Sequence, residues 1–283
     1  MAEVAVVVVT FNALPWLERA LASVRGLETV VVDNGSTDGT LDLVRERFPD
    51  AAIVEQENLG LAAGWNRGLE ATSAPYVLFL NADAWLHEGA LESLAGYLDA
   101  HSDVAWVSPR LRYPDGRLQR SVRGFPTLWR LATEFLFLRK LAPRTRALNA
   151  FYAGDFDHDS DREAEWIMGA CFLLRRAAVE QVGPADEGFF LFSEETDWCW
   201  RLRAAGWKVV FLPAAEATHV LGAAHGGRLF DELVRSQLRF LAKHRGEAYA
   251  RRARTLLRLS LRLRGVLFPG ERGRMYSETA RRL

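Results

Sequence analysis

Asn81-Ala82-Asp83 directly follows the apolar run Tyr76-Val77-Leu78-Phe79-Leu80 and so places a carboxylate at the mouth of a buried strand, positioned to hold a cation. In open α/β sheets, ligands sit beyond the carboxyl ends of the strands. Asp and Asn after a strand also serve as plain turn formers, so neighbouring strand ends have to decide. Three supply polar side chains: residues 4–9 run into Thr10-Phe11-Asn12, residues 29–32 into Asp33-Asn34-Gly35-Ser36-Thr37-Asp38-Gly39-Thr40, and residues 52–54 toward Asn58. Farther on, Ser193-Glu194-Glu195-Thr196-Asp197 gathers three acids, and His219 and His225 add imidazoles. Carboxylates can act as general bases, and imidazole ligates metals. Each group also has an ordinary structural reading: Ser193 as a helix N-cap with acids in the first turn, and a lone histidine as packing.

The elements that must position these groups follow from periodicity. Pro15 opens a helical pattern through Trp16, Leu17, Ala20, Leu21 and Val24, which Gly26 closes. A second helix carries Leu41, Leu43, Val44 and Phe48 behind a Ser/Thr/Asp-rich cap, and the crossover rule then puts residues 4–9 and 29–32 in one parallel sheet. This Rossmann-like half lacks Gly-X-Gly-X-X-Gly after its first strand, which argues against a dinucleotide cofactor. Gly60, Gly64 and Gly68 recur on one helical face, as tight helix–sheet packing requires, whereas Asn58 and Asn66 are harder to explain by packing. After Asp83 the pattern predicts a helix near 88–100, a strand over 104–108 and a hairpin turn at 113–117. An apolar helical stretch over 128–141 precedes an acidic loop over 155–163. Residues 167–174 then read as one buried strand, 175–182 as a short helix, 193–205 as a helix ended by Gly206, and 209–212 as a strand.

With 283 residues the chain can bury a substantial core, as one large domain or a domain plus an extension; we favour the second. The formal net charge is zero but unevenly spread: residues 228–283 hold 15 Arg and Lys against 5 Asp and Glu, leaving 21 against 31 for the rest. Cys171 and Cys199 lie in packing contexts, and so low a count suits a reducing compartment. No basic segment precedes the short apolar run at the N-terminus, so a cytoplasmic protein is expected.

Thr10-Phe11-Asn12, the run from Val32 to Thr40, the Asn58-X-Gly-X-X-X-Gly-X-Asn-X-Gly pattern and Asn81-Ala82-Asp83 together resemble the inverting glycosyltransferases of family 2, specifically a rhamnosyltransferase-like and galactofuranosyltransferase-like subgroup. The resemblance covers about residues 4–219. It implies an α/β fold of the GT-A type, a Rossmann-like mixed sheet flanked by helices, with a C-terminal helical extension. The implied domains are 1–227, with a nucleotide-binding half at 1–108 and an acceptor-side half at 109–227, and a basic extension at 228–283. It implies transfer of a sugar, with inversion, from a dTDP-rhamnose-like or UDP-sugar donor to a hydroxyl of a glycan or lipid-linked acceptor in cell-surface polysaccharide synthesis. The implied cofactor is Mg²⁺ or Mn²⁺, on Asp83 and His219, with His225 as runner-up ligand. Donor-binding residues would be Thr10, Phe11, Asn12, Asp33, Asn34, Asn58, Gly64, Asn66, Asn81, Ala82 and Asp83, with Asp33 accepting a hydrogen bond from the base or ribose. The family's second acid of Glu-Asp is the base, which by position is Glu195; Glu replaces Asp there, leaving room for Glu194 or Asp197 to take part. Arg67, Arg201 and Arg203 could offset phosphate charge.

Two other readings stay open: transfer to a polyprenyl phosphate, which needs no strong base, and a nucleotide-sugar-binding protein without catalysis, suggested by Asn81 in place of an acid and by the Glu195 substitution. A nucleotidyltransferase is disfavoured, because no Gly-rich activating loop with Arg and Lys lies near the N-terminus. In the tail, Arg251, Arg254, Arg258 and Arg262 fall on one helical face and Leu256, Leu259, Leu263 and Leu267 on the opposite side. That pattern suits either a terminal helix packed on the body or docking of 251–268 on the inner face of the plasma membrane; no nucleic-acid partner is expected.

Overall fold

The computed structural model describes residues 3–220 and 229–283. In chain order the elements are β1 (Val4–Thr10), α1 (Leu14–Ala22), β2 (Glu28–Asp33), α2 (Thr40–Arg47), β3 (Ala52–Glu55), α3 (Leu61–Glu70), β4 (Tyr76–Asn81), β5 (Ala84–Leu86) and α4 (Ala90–Ala100). There follow β6 (Val104–Arg112), β7 (Leu118–Gln119), β8 (Val122–Arg123), α5 (Leu128–Phe135), α6 (Arg146–Asn149), β9 (Arg162–Glu163), β10 (Trp166–Ile167), β11 (Cys171–Arg175) and α7 (Arg176–Val182). The last are α8 (Glu194–Ala204), β12 (Lys208–His219), α9 (Phe230–Arg245), α10 (Glu247–Leu267) and α11 (Gly270–Arg282). His225 lies outside the described residues. No described helix is long and apolar enough to cross a membrane.

The chain divides into two compact units, Met1–Val122 with His158–Gly226 and Arg123–Asp157 with Gly227–Leu283. Residues 123–157, expected on the acceptor-side half, therefore group with the C-terminal helices. The physical reason is the Arg264 guanidinium on α10, which donates to the carbonyls of Glu134 and Phe135 and lies over the rings of Phe135, Phe137 and Tyr276.

In the first unit a ten-stranded sheet runs β3-β2-β1-β4-β11-β6-β12-β5, with β7 paired to β6 and β9 to β12. β1 is parallel to β2 and β4, with Thr10 opposite Asp33 and Val9 opposite Asn81, so the polar strand ends share one edge. β11 enters antiparallel between β4 and β6, which makes the sheet mixed. The four-step glycines do what their spacing predicts: a Cβ on Gly64 would lie 2.5 Å from Val9, and one on Gly68 would overlap Val7, so α3 rests directly on β1. The run 167–174 is two strands instead of one, interrupted at residues 168–170. A Cβ on Gly169 would meet the Trp65 ring at 2.9 Å and the Glu195 Cβ at 3.3 Å, so strand pairing yields there to side chains pressing on the backbone. Trp65 belongs to a buried aromatic stack with Phe79, Phe172, Trp198 and, through Phe172, Trp106. Cys171 and Cys199 are buried free thiols, and burial pushes both upward in pKa.

In the second unit α10 packs through Ala250, Ala253, Leu257, Ser260, Leu261 and Arg264. Leu259, Leu263 and Leu267 are exposed, so within its unit α10 packs through a different face from the leucine row.

Candidate active site

The loops after β1 and β2 are clipped together by side chains. Asn12, at φ 51°, accepts from the Thr37 amide at 2.8 Å and gives its own amide to Ser36 Oγ at 2.8 Å. Asp38 accepts from the Leu14 amide, and Thr40 Oγ1 accepts from the Ala13 amide. Against a burial cost, hydrogen bonds from Thr40 Oγ1 and from the Leu14 and Thr40 amides hold the Asp38 carboxyl below the usual carboxylate range. Asp33 is 1% exposed, and its carboxylate accepts from the Gly35 and Ser36 amides and from Ser36 Oγ. That carboxylate therefore builds the 34–36 turn, and little of its acceptor capacity is left for a base or ribose. Asn34 donates to the Gly60 carbonyl and accepts from Gln56, tying the β2 end to the loop before α3. Asn58 accepts from the Gly60 amide in a local turn. Phe11 is 40% exposed at the rim. At this edge Thr10 Oγ1 and Gln56 Oε1 are buried without a hydrogen-bond partner among the described residues.

Asn66 turns out to be a clamp: its amide donates to the Ala185 carbonyl and to Glu187 Oε1, and accepts from the Ala185 amide, each at 2.9 Å. It thereby anchors the loop that leads to α8. The same loop meets Gly60, whose φ of 95° and lack of a Cβ admit the Phe190 backbone, and the Leu61 amide donates to the Phe190 carbonyl at 2.8 Å. Phe192 and Ser193 both have positive φ, 67° and 68°, a strained pair immediately before α8. Ser193 stands at the expected N-cap position, but its side chain makes no capping bond.

The first turn of α8 separates its three acids. Asp197 is fully buried and paired with Arg201 at 2.8 Å; Arg201 spends its remaining donors on the carbonyls of Val182, Gly183 and Pro184. Glu194 is also buried. Glu195 is half-buried, with its Cβ beside Gly169 and Trp65. Arg203 holds Glu163 and the Ala164 carbonyl, and Arg67 pairs with Glu70 on the surface, so these three arginines are engaged within the protein.

Asp83 and His219 come together. Ala84 pairs with His219 across β5 and β12, the Val220 amide donates to the Asp83 carbonyl, and Nε2 of His219 lies 3.4 Å from Oδ1 of Asp83. Both side chains are largely buried. Gln119, which sequence reasoning missed, is 1% exposed and sets the imidazole. Its Nε2 donates to the His219 carbonyl, which turns Oε1 toward the ring, and Oε1 lies 2.7 Å from Nδ1. In the neutral ring the proton is then on Nδ1, and the Nε2 lone pair faces a carboxylate. Two electron-rich atoms 3.4 Å apart call for a cation or proton between them. Among the described residues no group of three or more His, Cys, Asp or Glu side chains could hold a metal, so this pair would need further donors from a ligand or water. Glu195 is linked to the same region: Gly169, against its Cβ, precedes Ala170, whose carbonyl accepts from the Asn81 amide at 2.9 Å.

Residues 5–183 match the profile of glycosyl transferase family 2. The chain belongs to that family. It is 32% identical over 282 residues to N-acetylglucosaminyl-diphospho-decaprenol L-rhamnosyltransferase of Mycobacterium tuberculosis, covering 93% of this chain and 91% of the relative. It is 27% identical over 176 residues to rhamnosyltransferase WbbL of Escherichia coli K12, covering 60% of this chain and 62% of that one. Mannosyltransferase PcManGT from Pyrobaculum calidifontis, solved with GDP-Man and Mn²⁺, shares the fold at TM-score 0.60 and 19% identity, over 99% of this chain and 80% of that one. This family 2 chain is thus a glycosyltransferase with the mixed α/β sheet of the GT-A fold.

Proposed function

We propose that this glycosyltransferase moves a deoxyhexose such as rhamnose from a nucleotide diphosphate to a hydroxyl of a lipid-linked acceptor, with inversion, on the cytoplasmic side of a membrane. The names of its rhamnosyltransferase relatives, one of them for a decaprenol-linked acceptor, support that substrate class. The observation that carries the reading is the Asp83–His219 pair with its tautomer set by Gln119. The pair fits a divalent cation, Mg²⁺ or Mn²⁺, which when bound would neutralise the diphosphate as it leaves. The unpartnered Thr10 Oγ1 and Gln56 Oε1, at the edge formed by β1 and the loop after β3, are suited to bond the nucleoside. Asp33 and Asn12 shape that edge more than they can read it.

Glu195 serves as the base. It is the half-buried acid of its turn, whereas the Asp197 carboxylate is committed to Arg201 and Glu194 is buried. Its carboxylate takes the hydroxyl proton as the acceptor oxygen bonds to the anomeric carbon. The bond from that carbon to the diphosphate breaks on the opposite face, which gives inversion in one displacement.

A thermal-shift panel of dTDP-rhamnose, UDP-galactofuranose, UDP-glucose and GDP-mannose, each with Mg²⁺ or Mn²⁺, identifies the donor by its stabilisation. Glu195→Gln should lower turnover by about 10²–10⁴-fold and leave donor binding intact. Retained turnover would instead favour transfer to a polyprenyl phosphate, and donor binding without turnover by the native chain would mark a binding protein.

A further inference from the structure

The face of α10 turned to solvent is apolar where it should be polar. Leu259 is 59% exposed, Val266 85% and Leu267 57%, and Leu263 is also exposed, while the buried face of the same helix is complete without them. At about 100° per residue, Leu259, Leu263 and Val266 fall within one narrow ridge. Arg251, Arg254, Arg258 and Arg262 form a row along one side of it, and Arg252 sits on the ridge itself. None of these five arginines forms an ion pair among the described residues, in contrast to Arg264, whose guanidinium is buried in the unit.

We propose that this face is a docking surface for an anionic lipid bilayer, with the ridge entering the boundary between headgroups and acyl chains and the arginine row on lipid phosphates. Charge decides against a second copy as the occupant, since two such faces packed together would bring unpaired arginine rows into proximity. Arginine stems can cover apolar surface while their heads remain at the headgroup level, which suits the row beside the ridge. The inference deepens the reading of a lipid-linked acceptor, but it stands on the second unit alone and needs neither donor nor metal.

The test is co-sedimentation of the full chain with vesicles of 30% phosphatidylglycerol in phosphatidylcholine, and with phosphatidylcholine alone. Deleting residues 228–283 would strip α5 of its packing on α10, so exposed-site variants are used: Leu259→Glu with Leu263→Glu, and Arg254→Glu with Arg262→Glu. The native chain should bind the anionic vesicles, fail on the neutral ones and lose binding at high salt. Neutralising two arginines is worth about 30-fold in partitioning and reversing them more, so both variants should drop by at least that factor with unchanged thermal midpoints. No binding to anionic vesicles, or binding that both variants retain, would overturn the proposal. So would a native dimer that the leucine variant converts to monomer, which would identify a second copy on the ridge. Donor stabilisation measured on the same preparations separates this failure from failure of the transferase reading.

Discussion

Gln119→Leu tests the metal reading without touching a ligand. In the native protein Gln119 Oε1 lies 2.7 Å from Nδ1 of His219 and the site is buried, so leucine removes the acceptor that keeps the proton on Nδ1. Two responses are open to the ring. It can keep the proton on Nδ1 and bury an unsatisfied donor, at a cost of about 1–3 kcal/mol, or move the proton to Nε2 and donate to Asp83. The second fills the space between Nε2 and Oδ1 with a hydrogen atom and removes the lone pair a cation requires. Either way Mn²⁺ affinity should fall by about 10–100-fold, roughly 1.4–2.7 kcal/mol. The assay is Mn²⁺ titration by electron paramagnetic resonance in the presence of the nucleoside diphosphate, where loss of coupling to the imidazole nitrogen reports the ring directly. The thermal midpoint of the leucine variant, read beside the nitrogen coupling, separates the tautomer effect from simple damage to the core. Undiminished Mn²⁺ binding and nitrogen coupling in the leucine variant would refute the reasoning.

Gly68→Ala should cost about 1–3 kcal/mol in urea unfolding, because its Cβ overlaps Val7 and α3 must lift from β1. Asn66→Ala leaves the buried amide and carbonyl of Ala185 without their partner, so stability should fall by about 2–3 kcal/mol, and turnover should fall more than donor affinity as the loop before α8 loosens. Glu216 is held below its ordinary value of 4.5, first by the hydrogen bond from Arg112 and also by Arg110. A depressed carboxyl stabilises the fold above the unfolded pKa, and that stabilisation is lost as pH falls through the folded one. Glu216→Gln should therefore cost about 1.5–3 kcal/mol at pH 7, with the difference from the native chain shrinking toward zero below pH 4, as measured by urea midpoints across that range.

Strands β1 to β4 were legible because each is an apolar run of strand length bounded by turn residues, and parallel order follows from the helices between them. The glycine steps of α3 were legible for the same local reason, since helical periodicity and close packing are both short-range. The break at Gly169 was not, because the side chains that cause it, Trp65 and Glu195, come from helices 104 residues before it and 26 after it. The affiliation of residues 123–157 was hidden likewise, since it depends on Arg264 meeting Phe135 across 129 positions. Asp83, Glu195 and His219 could be proposed from residue type and family pattern, and the structure brings Asp83 and His219 together. Gln119 could not: the hairpin after β6 was readable, but its proximity to His219 depends on the pairing of β6 with β12, which includes shifts of register.

A common chemistry runs through the residues that position this site. The loop ends are held by buried carboxamides: Asn34 on Gly60 and Gln56, Asn66 on Ala185, and Gln119 on His219. A neutral amide offers both a donor and an acceptor, so it can fix a backbone segment or a ring from two sides. It adds no net charge to a region proposed to receive a diphosphate. A carboxylate in any of these places would repel the donor, and an ammonium would compete with the cation for phosphate oxygens. The charges at α8 follow the same division. Asp197, neutralised by Arg201, builds the helix start, which leaves Asp83 and Glu195 as the acids proposed to hold a cation and a proton. Support by neutral groups would thus leave the electrostatics of the site to the residues proposed for the chemistry, and a carboxylate introduced at Asn34 or Asn66 should weaken donor binding even where the hydrogen-bond geometry survives.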